Sequence, residues 1–355
     1  AGAIASIFNA PIAGLVFAVE VILGEWKQVN IIPIAIAAVA GAQVSQAIIP
    51  EQVIFFHQPF HVGFQDVVAC LFLAVLTALV SVFFTKTLQR IGQMAKKTAF
   101  SLWTRAIIGG CSVGLIAMVM PVVIGEGYHF IQSMISGTFS MGIFLTLVAV
   151  CAKIFATALT LGWGGAGGIF APCLVIGSLT GILFHKLLFV LFPGNGIASE
   201  GAYALLGMTG LISGVMQAPL TGIFLIVEIT GGYETILPLI VVSSLSATMS
   251  HYIEPASFYF KELIERGQFL RPGTDARILS ELNITELINP GFKSVSPDLL
   301  FSDFIEILKT SDQNFFPVID DRSLEYKGII HINTIRKFAL DPGIHNMIFL
   351  NQVMD

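Results

Sequence analysis

Charge is scarce in this chain. Lys and Arg number 18 and Asp and Glu 23, so that only 12% of 355 residues are charged, where soluble domains carry roughly 25%. With 55% hydrophobic residues, that shortage excludes an ordinary soluble domain and specifies an integral membrane protein with several spans. Cysteine is scarce as well. Cys70, Cys111, Cys151 and Cys173 are scattered in or beside apolar stretches without ligand spacing, so they read as small core residues rather than disulfides or a metal site. The chain lacks an initiator Met, and Asn9, Pro11 and Glu20 interrupt the apolar run of Ala1 to Leu23, which makes that run a poor signal peptide. The sequence reads as starting in the middle of a fold. Hydrolytic chemistry within the spans is missing too: His129, His185 and His251 lack suitable partners at helical spacing for the dyad or metal motif that an intramembrane protease requires. The chain is not read as an enzyme.

Glycine, by contrast, is concentrated. Residues 162–168 read Gly-Trp-Gly-Gly-Ala-Gly-Gly, and an apolar segment from Leu174 to Val190 follows Pro172 at once. Glycine lets backbone turn sharply and lets N–H groups face a ligand, and Pro172 suits the first turn of a helix. The stretch reads as a loop feeding a helix N-terminus, whose free amides and positive dipole end attract an anion. Half-helices aimed at an anion at mid-membrane are a transporter device. The competing reading is close helix packing, for which small residues are also used. The phosphate-loop reading is weaker still, because no Gly-Lys-Ser or Gly-Lys-Thr follows.

Apolar segments recur at 3–23, 31–49, 66–84, 106–124, 141–161, 169–192, 203–231 and 235–250, several of them interrupted by Pro or Gly. Broken and short helices are expected. The 86–105 connection carries Lys86, Arg90, Lys96, Lys97 and Arg105 without an acid, which marks it as cytoplasmic. The 50–65 connection is then external. It holds His57 and His61, which lack a third ligand for a metal. Beyond residue 253 the composition becomes charged and a short amphipathic helix ends the membrane part.

An internal repeat organises the rest. Residues 8–24 and 216–232 align so that Asn9-Ala10-Pro11 pairs with Gln217-Ala218-Pro219, Gly14 with Gly222 and Glu20 with Glu228. Lookalike elements this far apart in a polytopic protein point to duplicated halves, often of inverted topology. The acids repeat along with the fold elements, which favours a shared structural role for Glu20 and Glu228, such as capping or buried hydrogen bonding. Intramembrane acids are otherwise functional candidates. The glycine loop precedes Pro219 by about fifty residues, so its first-half counterpart is expected upstream of residue 1.

Gly168-Ile169-Phe170-Ala171-Pro172, the wider string Lys153–Gly181, the two Ala-Pro helices and Ser257-Phe258-Tyr259 together resemble the CLC family of chloride channels and chloride/proton antiporters. The resemblance spans about residues 1–268. It implies a mostly α, inverted-repeat fold of short and broken helices, a homodimer in the lipid bilayer, one pore per subunit and chloride as the transported ligand. It implies that the N–H groups of Ile169 and Phe170 bind a central chloride and that Tyr259 donates its hydroxyl. Neutral donors hold an anion weakly enough for it to leave. Proton-coupled members commonly carry a second acid directly after the position of Glu20. Here it is Val21, which cannot carry a proton, and this favours channel-like or uncoupled conduction, voltage- or ligand-gated, over chloride/proton exchange. The family's serine-containing halide loop and gating glutamate are expected upstream of the chain.

Residues 1–267 are thus expected to form the membrane domain and 268–277 a linker. Residues 278–355 are expected to form a partial cytoplasmic α/β domain. Asn283–Leu287, a helix on Leu300, Phe304, Ile305 and Leu308, strands at Phe315–Asp320 and Tyr326–His331, and a helix with Ile335 and Phe338 resemble a CBS motif. Paired CBS motifs can bind adenine nucleotides, often through an Asp after the second strand. The matching stretch here is His331-Ile332-Asn333-Thr334, which favours a dimerising or scaffolding role. A membrane-anchored ligand sensor is the alternative from another class. No nucleic-acid partner is expected, and the few charges of the external loop and absent disulfides fit a bacterial inner membrane.

Overall fold

The computed structural model describes residues 1–48, 64–125, 127–136, 140–192, 198–265, 291–321, 323–340 and 343–354. His57, His61, the linker 268–277 and Asn283–Leu287 lie outside the described residues. The chain divides into two compact units, Ala1–Pro272 and Gly273–Asp355.

The first unit is helical. In chain order it comprises α1 (Gly2–Phe8), α2 (Pro11–Phe17, continued as a π turn over Ala18–Leu23), α3 (Gln28–Ile48), α4 (Phe64–Lys97), α5 (Leu102–Val119), α6 (Tyr128–Ile135), α7 (Ile143–Gly162), α8 (Phe170–Leu191), α9 (Glu200–Met216), α10 (Pro219–Thr230), α11 (Ile236–Ile253) and α12 (Phe258–Glu265). Six helical stretches among the described residues are long and apolar enough to cross a membrane. Their outward side chains, such as Met118 and Phe144, are largely exposed, as a lipid-facing surface requires. At the centre lies α9, buried from Gly201 to Met216.

Two expected segments are each split by the same device. Asn9 and Gln217 take left-handed φ values of 50° and 55°, which end α1 and α9. Ala10 and Ala218 then extend, and Pro11 and Pro219 open the next helix. The run 3–23 is therefore two helices, and 203–231 is two more. Glycine ends each copy, Gly24 at φ 67° and Gly231 at φ 65°. Counting from the paired prolines, the first copy is one residue longer, and the π turn over Ala18–Leu23 absorbs the extra residue.

The expected basic connection is also different. Helix α4 runs on to Lys97, so Lys86, Arg90, Lys96 and Lys97 lie on α4 and Arg105 on α5, with residues 98–101 between them. Lys96 and Lys97 in the last turn complement the negative end of the helix dipole, which lets α4 continue past its apolar span.

Helix contacts depend on glycine. A Cβ on Gly181 of α8 would overlap the Tyr203 carbonyl of α9, and one on Gly207 would overlap the Gly177 carbonyl. Backbones touch there, which is how small residues hold membrane helices together. On another face of α9, Ser246 and Ser250 of α11 donate to the Gly210 and Gly214 carbonyls at 2.7 Å. The packing reading of glycine therefore holds for α8 and α9.

The second unit has α13 (Phe301–Lys309), strands β1 (Phe315–Ile319) and β2 (Tyr326–His331), and α14 (Ile332–Ala339). The strands pair antiparallel and Val295 adds a parallel bridge to Val318. Phe301, Phe304, Phe316, Val318, Ile330 and Ile335 form its core. The observed strands and helices fall where the hydrophobic pattern predicts them.

Candidate functional site

The glycine run ends where α8 starts. Gly164 takes φ 101°, a conformation side chains rarely adopt, and Gly165 turns tightly on the Thr160 carbonyl. These two reverse the chain after α7. Gly168 differs, because a Cβ there meets nothing within 4 Å. Beside it the backbone borders open space, and Ile169 and Phe170 follow as the N-cap and first residue of α8. Their amides have no intrahelical acceptor, as at every helix start. Ala171 and Pro172 complete the first turn.

Tyr259 reaches the same place from α12. Gly167, Gly168, Ile169 and Tyr259 line one cavity of about 470 Å³. The Tyr259 hydroxyl has no hydrogen-bond partner among the described residues, so it is free to donate. The ring of Phe17, the last residue of α2 before its π turn, lies edge-on to both Phe170 and Tyr259, with centroids 5.7 and 6.4 Å away. Phe8 packs on Phe170 at 5.4 Å. Phe8 and Phe17 were not singled out from the sequence; their spacing of nine across a helix break carries no periodic signal.

The structure separates the remaining candidates from this cavity. Glu20 accepts from the N–H groups of Leu220 and Thr221 at 3.1 and 2.7 Å and from the Thr221 hydroxyl at 2.7 Å. Glu228 accepts from the N–H groups of Ile12 and Ala13 at 2.9 and 2.7 Å. Each repeat helix thus carries the acid that satisfies the other's N-terminus. Val21 is buried in the π turn. The buried lysine of the spans, Lys153, is committed to the carbonyls of Val123 and Gly125 at 3.0 and 2.8 Å. Among the described residues no cluster of His, Cys, Asp or Glu could hold a metal.

Broken helices, a duplicated Ala-Pro device and glycine-mediated crossings define a polytopic integral membrane protein of the inverted-repeat kind. The chain belongs to the Voltage gated chloride channel family, whose pattern matches residues 1–251. An H(+)/Cl(-) exchange transporter ClcA of Vibrio cholerae is 31% identical over 274 residues, covering 75% of this chain and 58% of the relative. Its counterpart in Vibrio parahaemolyticus is 33% identical over 276 residues, with the same coverage. The chain therefore spans 58% of the length of these relatives. In fold it is similar to a CLC-type fluoride/proton antiporter, at TM-score 0.61 and 22% identity, over 72% of this chain and 61% of that one. A eukaryotic CLC transporter matches at TM-score 0.58 and 20% identity, over 97% of this chain and 62% of that one.

Proposed function

We propose that this chain forms the anion pathway of a membrane transporter that exchanges chloride for protons. The observation that carries the anion part is the convergence of unpartnered donors. Ile169 and Tyr259 line one cavity, and the Phe170 amide is the next free N–H of the same helix start, at the positive end of its dipole. Such donors favour an anion without the strong trap that a bare cation makes. The exchange part is supported by the relatives, which are named H(+)/Cl(-) exchange transporters. This reverses the preference for passive conduction drawn from Val21. Exchange here uses a proton route that bypasses residue 21. Uncoupled conduction stays as the second reading, because Val21 is apolar and buried.

Glu20 and Glu228 act as structural caps in this reading. The protein is a homodimer in a bacterial inner membrane, and the end of α4 that bears Lys96 and Lys97 faces the cytoplasm. The second unit is a CBS-type cytoplasmic domain with a dimerising or scaffolding role. His331 there accepts from the Asn333 N–H at 3.3 Å and packs its ring, tilted, against Phe315, so this position serves as a helix cap rather than a ribose ligand.

The test is the protein in liposomes under a chloride gradient, with chloride efflux and external pH recorded together. Chloride flux with opposing proton movement at a fixed ratio is the expected result. Chloride flux without proton movement supports the second reading. No flux of any halide from folded protein overturns the proposal.

A further inference from the structure

A second cavity lies at the other end of the membrane unit, where α7 starts, α8 ends and α9 starts. Its walls include Gly142, Lys186, Phe189, Val190 and Glu200. Asp66, in the first turn of α4, accepts from the Tyr203 hydroxyl at 3.1 Å and from the Ala198 N–H at 3.2 Å. The start of α9, and Glu200 with it, therefore sits beside the first turn of α4, at the end opposite Lys96 and Lys97. The cavity measures about 540 Å³, within the range of roughly 300–1,000 Å³ that holds organic ligands.

Its lining joins two surfaces that suit a membrane boundary. Phe189 and Val190 are 61% and 64% exposed on a helix long and apolar enough to span, so they face acyl chains. Beside them stands an ion pair. Lys186 lies 3.1 Å from Glu200 Oε1, with side chains only 15% and 28% exposed. Lys186 also donates to the Ser140 hydroxyl at 2.9 Å, which leaves one of its three N–H bonds. Glu200 Oε2 has no partner among the described residues. One donor and one acceptor, of opposite charge, thus remain side by side. Gly142 leaves the wall open. A Cβ there meets nothing within 4 Å, and its φ of −63° and ψ of 157° suit any residue.

We infer that this cavity binds the headgroup of a phospholipid of the phosphatidylethanolamine class, from the leaflet at that end. The phosphate takes the remaining Lys186 N–H, and the primary ammonium donates to Glu200 Oε2. The existing ion pair stays formed, and the acyl chains leave along Phe189 and Val190. A lone anion meets Lys186 but also the repulsion of Glu200; a zwitterion answers both charges. Phosphatidylcholine carries the same charges but has no N–H to give Glu200, and bonds to charged groups are the strong ones. Phosphatidylglycerol brings an anion alone. The bound lipid bridges α7, α8 and α9, so it also raises the thermal midpoint by mass action.

The test is native mass spectrometry of the whole purified protein, stripped of lipid in detergent. It is titrated with phosphatidylethanolamine, phosphatidylcholine or phosphatidylglycerol of one acyl composition. The ethanolamine lipid is expected to bind about tenfold tighter than the choline lipid. Glu200→Gln is expected to level the two and to strengthen phosphatidylglycerol. Lys186→Gln is expected to weaken phosphatidylethanolamine about tenfold. Gly142→Leu is expected to do the same by filling the cavity without touching a charge, which keeps the inference testable if Lys186→Gln fails to fold. Equal affinity for the ethanolamine and choline lipids, tighter binding of phosphatidylglycerol by the parent, or unchanged phosphatidylethanolamine affinity in folded Glu200→Gln and Gly142→Leu overturns it. Chloride flux does not enter the readout, so failure of the transport proposal and failure of this site are separate results.

Discussion

Gly168 and Gly181 stand on the two sides of the question that the glycine-rich stretch raises. Gly181 has the Tyr203 carbonyl where its Cβ would lie, and Gly168 has open space. Gly181→Ala should therefore force α8 and α9 apart and cost about 3 kcal/mol or more, read as a large drop in the thermal midpoint in detergent. Gly168→Ala should hold the midpoint within about 0.5 kcal/mol of the parent while weakening bromide binding, because the added methyl enters the approach to the Ile169 amide. Equal midpoints in the two variants would contradict this division. Tyr259→Phe removes a single hydroxyl donor. Hydrogen bonds to charged groups contribute roughly 1.5–3 kcal/mol, so bromide affinity measured by calorimetry should fall about tenfold or more. The sequence makes the loop and the helix start legible, because Gly-rich backbone followed by Pro172 has few other uses. Which glycine packs and which opens a cavity was not legible, since that depends on the helix lying opposite.

At the scale of elements, the two Ala-Pro helices are bound to each other reciprocally. Glu20 of α2 satisfies the N-terminus of α10, and Glu228 of α10 satisfies that of α2. A carboxylate at a helix N-terminus answers both the free amides and the dipole. Glu228→Ala strips two charge-assisted bonds, and Glu20→Ala strips three. Each should lower stability by about 2–4 kcal/mol, seen as a lower thermal midpoint, and Glu228→Gln should recover part of the loss. A midpoint unmoved by either alanine would mean that the caps are not formed. The repeat itself was legible because Ala, Pro, Gly and Glu recur in register. That each acid serves the other copy was not, because two residues some two hundred positions apart meet only through the pseudo-symmetry of the fold. The π turn was hidden for a related reason. One extra residue after Glu20 looks in the sequence like an ordinary drift in the repeat.

For the molecule as a whole, composition alone determines the environment: few charges and many apolar residues leave a bilayer as the solvent. The hydrophobic pattern also located the strands and helices of the second unit, where Phe316, Val318 and Ile330 form a core. Val21 weighed toward conduction, whereas relatives about a third identical are named exchangers, and on that ground exchange is the reading proposed. The central claim is that the Ile169 and Phe170 amides and the Tyr259 hydroxyl hold one halide. Crystals grown in bromide and measured at the bromine absorption edge test it most directly. The account predicts an anomalous peak within hydrogen-bonding distance of all three donors, lost or weakened in Tyr259→Phe. Well-ordered crystals with no peak there, or with bromide bound at Lys153 instead, would contradict it.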